Sequence, residues 1–96
     1  MTPDLSRLLR PKSIALFGGG WAVNVVAQLK KSGFDGEIWP VNPKRTDILG
    51  VPCLASIEDL PGAPDASFIG VNREATIEVV ERLSAMGAGG ATCFAS

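Results

Sequence analysis

A run of three glycines follows a short apolar segment near the start of the chain and could hold a phosphate group. The segment Ser13-Ile-Ala-Leu-Phe17 leads directly into Gly18-Gly19-Gly20-Trp21. Small and apolar residues are typical of a buried parallel strand, and glycines let the backbone turn tightly so that its N–H groups face an anion. We therefore interpret residues 18–21 as a candidate phosphate cradle at the end of a first strand.

The residues after the glycines predict a helix that points at the same place. Four apolar residues have the i, i+3, i+4, i+7 spacing of one helix face: Ala22, Val25, Val26 and Leu29. We expect the helix to cover about residues 21–32 and to end at Gly33. Its N-terminus would offer unpaired backbone N–H groups and the positive end of the helix dipole, and both favour a bound phosphate.

The glycine pattern matches the dinucleotide-binding fingerprint only in part. That fingerprint requires a third glycine in Gly-x-Gly-x-x-Gly, and Val23 stands at that position in this chain. A glycine-rich turn that serves only the packing of a strand against a helix is therefore the alternative interpretation.

A second polar segment, Pro40-Val-Asn-Pro-Lys-Arg45, follows the second predicted strand. A NAD-binding domain carries an acidic residue here that accepts a hydrogen bond from the ribose 2′-hydroxyl, whereas this chain has Asn42 and then two cations. Asn42-Pro43 predicts a turn, from which Lys44 could bring a positive charge to a phosphate. An ordinary solvated turn is the alternative.

Composition and charge exclude several classes of function. The 96 residues, 46% of them hydrophobic, suffice for one globular domain, and the net charge of −1 argues against a nucleic-acid partner. We expect no membrane partner and a cytoplasmic location, because no apolar run reaches the roughly 20 residues of a bilayer span and the first residues lack a secretory signal.

Histidine and cysteine usage limits the chemistry further. The chain contains no histidine, which excludes a histidine-dependent triad, a phosphohistidine or a histidine metal site within it. Cys53 and Cys93 lack CxxC spacing, so we predict two buried free thiols rather than a disulfide or a metal pair. We identify no catalytic residue and no metal site.

Strands and helices alternate along the chain. The predicted strands are residues 13–17, 37–41, 51–54, 66–71 and 90–95. Pro40 favours a strand end or an edge position over the centre of the sheet. Asp4 could cap a short helix before Pro11, and Ser56-Ile-Glu-Asp59 resembles a capping box that opens one helical turn.

The second long helix is predicted to begin at a cap on Asn72 and to stop at Gly87. Its expected inner stripe consists of four apolar residues: Val79, Val80, Leu83 and Met86. Glu78 and Arg82 are expected to pair across one turn on the outer face.

This alternation predicts an α/β fold: a Rossmann-like, doubly wound parallel sheet of about five strands in the order 3-2-1-4-5, within three layers. In such a sheet the ligand crevice lies at the carboxyl ends of the strands, where the strand order reverses. The segments that meet there are residues 18–21, 42–45, 72–73 and those after Phe94.

The order of segments along nearly the whole chain resembles one enzyme family. The segments are Leu9-Arg-Pro-Lys-Ser-Ile-Ala15, the glycine-rich turn, Gly36-Glu-Ile-Trp-Pro-Val-Asn-Pro-Lys44, Ile48-Leu-Gly-Val-Pro52, Ser56-Ile-Glu-Asp-Leu-Pro61 and Pro64-Asp-Ala-Ser-Phe-Ile-Gly-Val71. Together they are similar to the N-terminal CoA-binding domain of NDP-forming acyl-CoA synthetases, such as ADP-forming acetate–CoA ligase. The start of the succinyl-CoA synthetase α subunit has a similar fold.

The resemblance implies a binding site for coenzyme A. The loop of Gly18, Gly19, Gly20 and Trp21 would lie near the phosphates together with Lys44. The residues implied to line the rest of the cleft are Val41, Asn42, Pro43, Val71, Asn72, Arg73, Phe94, Ala95 and Ser96. The chain departs from the family in one place, because the usual turn is several residues longer than Gly18–Trp21, and Trp21 could instead occupy part of the cleft.

The resemblance also implies a parent enzyme that joins a carboxylic acid to CoA. Its phosphohistidine and its ATP-grasp region would lie in downstream domains or in another subunit, so that residues 1–96 form the N-terminal domain of a longer protein and are not catalytic alone. A homo-oligomer is compatible with this prediction. The alternative function is a non-catalytic nucleotide-binding or sensing domain that prefers NADP, since Lys44 and Arg45 could also meet a ribose 2′-phosphate.

Overall fold

The computed structural model describes residues 11–71 and 73–93. Six strands occur in these ranges: β1 (Ser13–Gly18), β2 (Glu37–Val41), β3 (Asp47–Ile48), β4 (Val51–Pro52), β5 (Ala66–Gly70) and β6 (Gly90–Cys93). Two α-helices accompany them, α1 (Gly20–Lys31) and α2 (Arg73–Ala85), with a 3₁₀ turn at Ile57–Asp59. Neither helix has the length and hydrophobicity that crossing a bilayer requires.

Four strands form a parallel sheet in the order β2-β1-β5-β6. β1 lies between β2 and β5, and its residues 13–17 are all buried, as expected of a central strand made of small and apolar residues. The Rossmann-like α/β class is thus confirmed, and these four strands lie in the predicted relative order.

The prediction that residues 51–54 form a regular outer strand of the parallel sheet was wrong. Val51–Pro52 pairs with Asp47–Ile48 in a separate antiparallel hairpin. The turn between them has positive φ at two successive residues, Leu49 (52°) and Gly50 (85°), and reverses the chain. Proline also lacks the N–H group that a ladder bond would need at Pro52.

Leu54 is the residue of this segment that bonds to the end of β2. It forms a parallel bridge with Val41, its N–H donates to the Pro40 carbonyl over 2.7 Å, and its carbonyl accepts from the Asn42 N–H over 2.8 Å. Because the Pro40 carbonyl faces Leu54, the donor that proline lacks also lies on this outer side. The edge position predicted for Pro40 is therefore correct.

The helices cover opposite faces of the sheet. Alternate residues of β1 point to opposite sides, so Ile14 and Leu16 pack with α1, and Ala15 and Phe17 with α2. The cluster under α1 consists of Ile14, Leu16, Ala22, Val26 and Ile48. The cluster under α2 consists of Ala15, Phe17, Leu60, Ile69 and Leu83. This arrangement gives the three predicted layers.

Both helices end as the sequence predicts. At the end of α1 the N–H of Phe34 donates to the Leu29 carbonyl and that of Gly33 to the Lys30 carbonyl, which is a Schellman motif. The same pair of bonds closes α2, from Ala88 to Leu83 and from Gly87 to Ser84. The predicted capping box is absent, because Ser56 makes no side-chain cap bond at the 3₁₀ turn.

Two predictions for α2 were wrong. Val80 and Met86 are 39% and 37% exposed, whereas Leu83 is 3% exposed and Val79 packs against the cluster beside it. The inner face is therefore a narrow i, i+4 stripe, and Val80 lies one residue around the helix from it. Arg82 pairs with Glu58 of the 3₁₀ turn rather than with Glu78.

The Ser67 hydroxyl is buried in the middle of β5. Ser67 is 1% exposed, and its Oγ has no hydrogen-bond partner among the described residues. Burying an unsatisfied hydroxyl costs about 1 to 3 kcal/mol. We therefore expect Ser67→Ala to raise the free energy of unfolding, by about 1 kcal/mol once the small lost volume is allowed for. Urea denaturation measures the change, and a loss of stability would show that the hydroxyl is satisfied.

Candidate functional site

The carboxyl ends of three neighbouring strands bring most of the predicted site together. β1 ends at Gly18, β2 at Val41 and β5 at Gly70, next to Val71. Because β2, β1 and β5 are parallel neighbours, the glycine loop, the turn after β2 and Val71 share one edge of the sheet. Arg73 is described as the first residue of α2, while Asn72, Phe94, Ala95 and Ser96 lie outside the described residues.

The N-terminus of α1 opens onto this edge. Gly19 is the N-cap and makes no side-chain cap bond, and the first turn of the helix contains no acidic residue. A Cβ added at Gly19 or Gly20 would meet nothing within 4 Å. The backbone here is thus open to a ligand, and the positive end of a 12-residue helix is not neutralised by a side chain of its own first turn.

Trp21 lies across the ends of β1 and β5. Its indole Nε1 donates to the Gly70 carbonyl over 3.2 Å. A Cβ at Gly18 would stand 2.2 Å from this nitrogen, and a Cβ at Gly70 would stand 2.5 Å from it. Gly18 and Gly70 are directly paired in the sheet, so two adjacent glycines make the space that one indole ring fills.

Asn42 ties the loop after β1 to the turn after β2. Its Nδ2 donates to the Gly18 carbonyl over 3.2 Å, and its Oδ1 accepts from the Lys44 N–H over 2.9 Å. The Asn42 carbonyl also accepts from the Arg45 N–H over 3.4 Å. The side chain is thus engaged on both sides, and Asn42 positions the glycine loop relative to the Pro43–Lys44 turn.

Lys44 and Arg45 extend from this turn into solvent. Both side chains are exposed, and Lys44 makes no side-chain hydrogen bond or ion pair with the described residues. Lys44 is therefore an uncommitted cation on the turn that Asn42 ties to Gly18, and Arg45 stands next to it in the chain. A negatively charged ligand at the edge of the sheet could recruit either of them.

Cys53 is half-buried rather than buried as predicted. Desolvation raises the pKa of its thiol, and the Asp47 carboxylate raises this pKa further, while Arg45 opposes the shift. The side chain of Cys93 is not described. No cluster of metal-ligating residues occurs in the described part of the chain.

The raised pKa of Cys53 predicts slow alkylation. In a Cys93→Ser background, Cys53 should react with iodoacetamide more slowly at pH 8 than an unfolded thiol, because the thiolate is the reactive form. Asp47→Asn should speed the reaction and Arg45→Gln should slow it, following the directions in which these charges shift the pKa. Equal rates in the three proteins would contradict the electrostatic account.

Sequence reasoning missed two contributors to the site. The apolar pattern of residues 66–71 includes Gly70 only as part of a strand, although a glycine inside a strand often marks a close approach, here of Trp21. Leu54 was placed in a regular strand, whereas its two bonds to Pro40 and Asn42 fix the start of the turn that carries Lys44.

Two further cavities lie away from this edge. One, of about 450 Å³, runs along α1 beside Phe68. The other, of about 270 Å³, lies between the 3₁₀ turn and the end of α2, where Glu58 and Arg82 already pair. Neither contains a residue of the predicted site.

The fold places the chain in the doubly wound, Rossmann-like α/β class. A family model described as a CoA binding domain matches residues 12–96, and the chain belongs to this family. The resemblance found in the sequence and the cofactor that it implied are thereby confirmed.

Curated relatives share the sequence at moderate identity. The chain is 38% identical over 99 residues to ADP-forming acetate–CoA ligase II of Archaeoglobus fulgidus, covering 98% of this chain and 15% of the relative. It is 32% identical over 98 residues to a trans-feruloyl-CoA synthase from an unknown prokaryotic organism, covering 97% and 14% of the two chains. The chain thus spans about one seventh of the length of these relatives.

Solved structures share the fold. The dinucleotide forming acetyl-coenzyme A synthetase 1 of Candidatus Korarchaeum cryptofilum, in complex with phosphate and ADP, matches with a TM-score of 0.79 at 26% identity, over 92% of this chain and 20% of that one. A hypothetical protein from Pyrococcus horikoshii matches with a TM-score of 0.74 at 29% identity, over 98% and 73% of the two chains.

Proposed function

We propose that the chain holds coenzyme A at the carboxyl edge of its sheet as the CoA-binding domain of an NDP-forming acyl-CoA synthetase. The observation that carries the proposal is the open N-terminus of α1, which Asn42 links to the turn bearing the uncommitted Lys44. A helix N-terminus suits a diphosphate, and an exposed lysine on the adjoining turn suits a further phosphate. Coenzyme A carries both kinds of group.

Each part of the site has a role in this proposal. The backbone at Gly19 and Gly20 binds the diphosphate, and Lys44 neutralises a phosphate from the β2 side. Val41, Pro43 and Val71 line the cleft. Asn72, Arg73 and the residues Phe94, Ala95 and Ser96 complete it, as the family resemblance implies.

The complete reaction requires more than this chain. The chain contains no histidine, so the phosphohistidine and the ATP-binding region belong to other domains or to another subunit in the proposal. This division agrees with the small share of the acetate–CoA ligase that the chain covers. A cytoplasmic location is part of the proposal.

The second candidate is a nucleotide-binding domain that prefers NADP. Lys44 and Arg45 favour it, because both are exposed on the turn after β2, where enzymes of the dinucleotide fold bind the ribose 2′-phosphate. Calorimetric titration of the 96-residue chain with CoA, desulfo-CoA, NADP and NAD decides between the two. We expect CoA and desulfo-CoA to bind alike and more tightly than either dinucleotide. Tighter binding of NADP would replace the proposal with the second candidate.

A matched pair of variants tests the place of binding. Gly20→Val puts a branched side chain into the open space at the start of α1 and should abolish CoA binding while the protein stays folded. Gly62→Val is the control, because a Cβ at Gly62 also meets nothing within 4 Å and the residue lies in an exposed loop away from the site. Retained CoA binding by a folded Gly20→Val protein would refute the assigned position.

A further inference from the structure

We propose that the indole of Trp21 is a specificity-determining residue that forms the wall against which the pantetheine arm of coenzyme A lies. The inference rests on the proposed function and assigns a part of the ligand to a part of the site. In this chain Trp21 follows Gly20 directly. Its ring therefore fills space at the edge of the sheet that a longer glycine loop would leave open to the ligand or to solvent.

The position of the ring is fixed from three sides. Its Nε1 donates to the Gly70 carbonyl, and the missing side chains of Gly18 and Gly70 leave the space in which it lies. The ring also packs against the cluster under α1. Only part of it is buried, and the exposed remainder stands at the carboxyl ends of β1 and β5.

This position assigns the ring to one half of the ligand. In a doubly wound sheet the ligand crosses the point where the strand order reverses, with its diphosphate at the first helix N-terminus and one ribose beside the end of the second strand. With the adenosine half on the β2 side, near Lys44, the other half must leave the α1 N-terminus over β5. Trp21 lies there, and the gem-dimethyl and methylene groups of the pantetheine arm can pack against its fixed aromatic surface.

The test compares CoA with 3′-phosphoadenosine 5′-diphosphate, which keeps all three phosphates of CoA and lacks only the pantetheine arm. Trp21→Ala should weaken CoA binding about tenfold while changing the affinity for 3′-phosphoadenosine 5′-diphosphate less than twofold. Trp21→Phe keeps an aromatic wall but loses the bond to Gly70, and should stay within about threefold of the original protein for both ligands. A purely structural role would weaken both ligands equally in Trp21→Ala, and that result would overturn the inference.

Fluorescence gives a readout that does not depend on the folding of Trp21→Ala. In a Trp39→Phe background, Trp21 is the sole tryptophan, and its emission should shift on saturation with CoA but not with 3′-phosphoadenosine 5′-diphosphate. An unchanged emission with bound CoA, or equal shifts with both ligands, would overturn the inference and leave the proposed function standing. Failure of the original protein to bind CoA would overturn both.

Discussion

Replacing Gly18 by alanine is expected to lower the free energy of unfolding by about 2 to 6 kcal/mol. Two costs add. The new Cβ would stand 2.2 Å from the Trp21 indole, and overpacking of this kind costs about 1 to 3 kcal/mol. The backbone at Gly18 also has a φ of 155°, in a region that residues with a side chain rarely adopt and that costs about 1 to 3 kcal/mol.

Gly70→Ala measures the overpacking cost without the backbone cost. Its Cβ would stand 2.5 Å from the same indole nitrogen, but no left-handed backbone is involved, so we expect a loss of about 1 to 3 kcal/mol. Gly62→Ala, at an exposed position with open space, should change stability by less than about 0.5 kcal/mol. Urea denaturation followed by circular dichroism measures all three proteins.

A double-mutant cycle identifies the indole as the cause. In a Trp21→Ala background, Gly70→Ala should cost almost nothing, because the three atoms nearest to its Cβ, all of the indole, are gone. Gly18→Ala should keep the backbone part of its cost in that background. If Gly70→Ala were as stable as Gly62→Ala in the presence of Trp21, the ring would not lie across the two strands.

Replacing Lys44 by alanine is expected to weaken CoA binding by about 1.5 to 3 kcal/mol, the range for hydrogen bonds to charged groups. This loss corresponds to roughly a tenfold to 150-fold change in the dissociation constant. The effect should shrink as salt is added, because exposed charges are screened over about 10 Å at 0.1 M ionic strength. Calorimetry at two salt concentrations measures both quantities.

Lys31→Ala is the matched control for charge. Lys31 is exposed in the last turn of α1, at the end of the helix away from the site, so its loss removes the same charge without removing a ligand contact. CoA lacking its 3′-phosphate locates the contact further, since Lys44→Ala should then have little effect if Lys44 meets that phosphate. Unchanged CoA affinity in Lys44→Ala would leave Lys44 as an ordinary surface cation.

Local patterns were sufficient to predict the main elements. The apolar run of β1 indicated a central buried strand, and the spacing of Ala22, Val26 and Leu29 indicated the face that α1 packs on the sheet. Gly33 and Gly87 marked the helix ends because each lies in the Schellman motif that glycine favours. The alternation of strands and helices then restricted the order of the four parallel strands, since crossovers in such sheets are right-handed.

The general location of the site also followed from the order of the strands. Parallel strands end at one edge of a sheet, so residues 18–21 and 42–45 had to lie near one another once the order of their strands was known. Their assignment to coenzyme A came from the order of segments along the chain and not from spacing. The roles of Asn42 and Gly70 did not follow from either.

The sequence alone determined the strands, the helices and their order along the chain. The burial of a strand, the inner face of a helix and the glycine at which a helix ends all depend on residues a few positions apart. The tertiary structure decided which side chains meet across these elements: Trp21 and Gly70 are 49 residues apart, and Asn42 and Gly18 are 24 apart. Arg82 pairs with Glu58, 24 residues away, and not with Glu78 on its own helix. Such contacts depend on how separate elements pack together, which no local period encodes, and they fix both the position of the Trp21 ring and the tie between the glycine loop and the turn of Lys44.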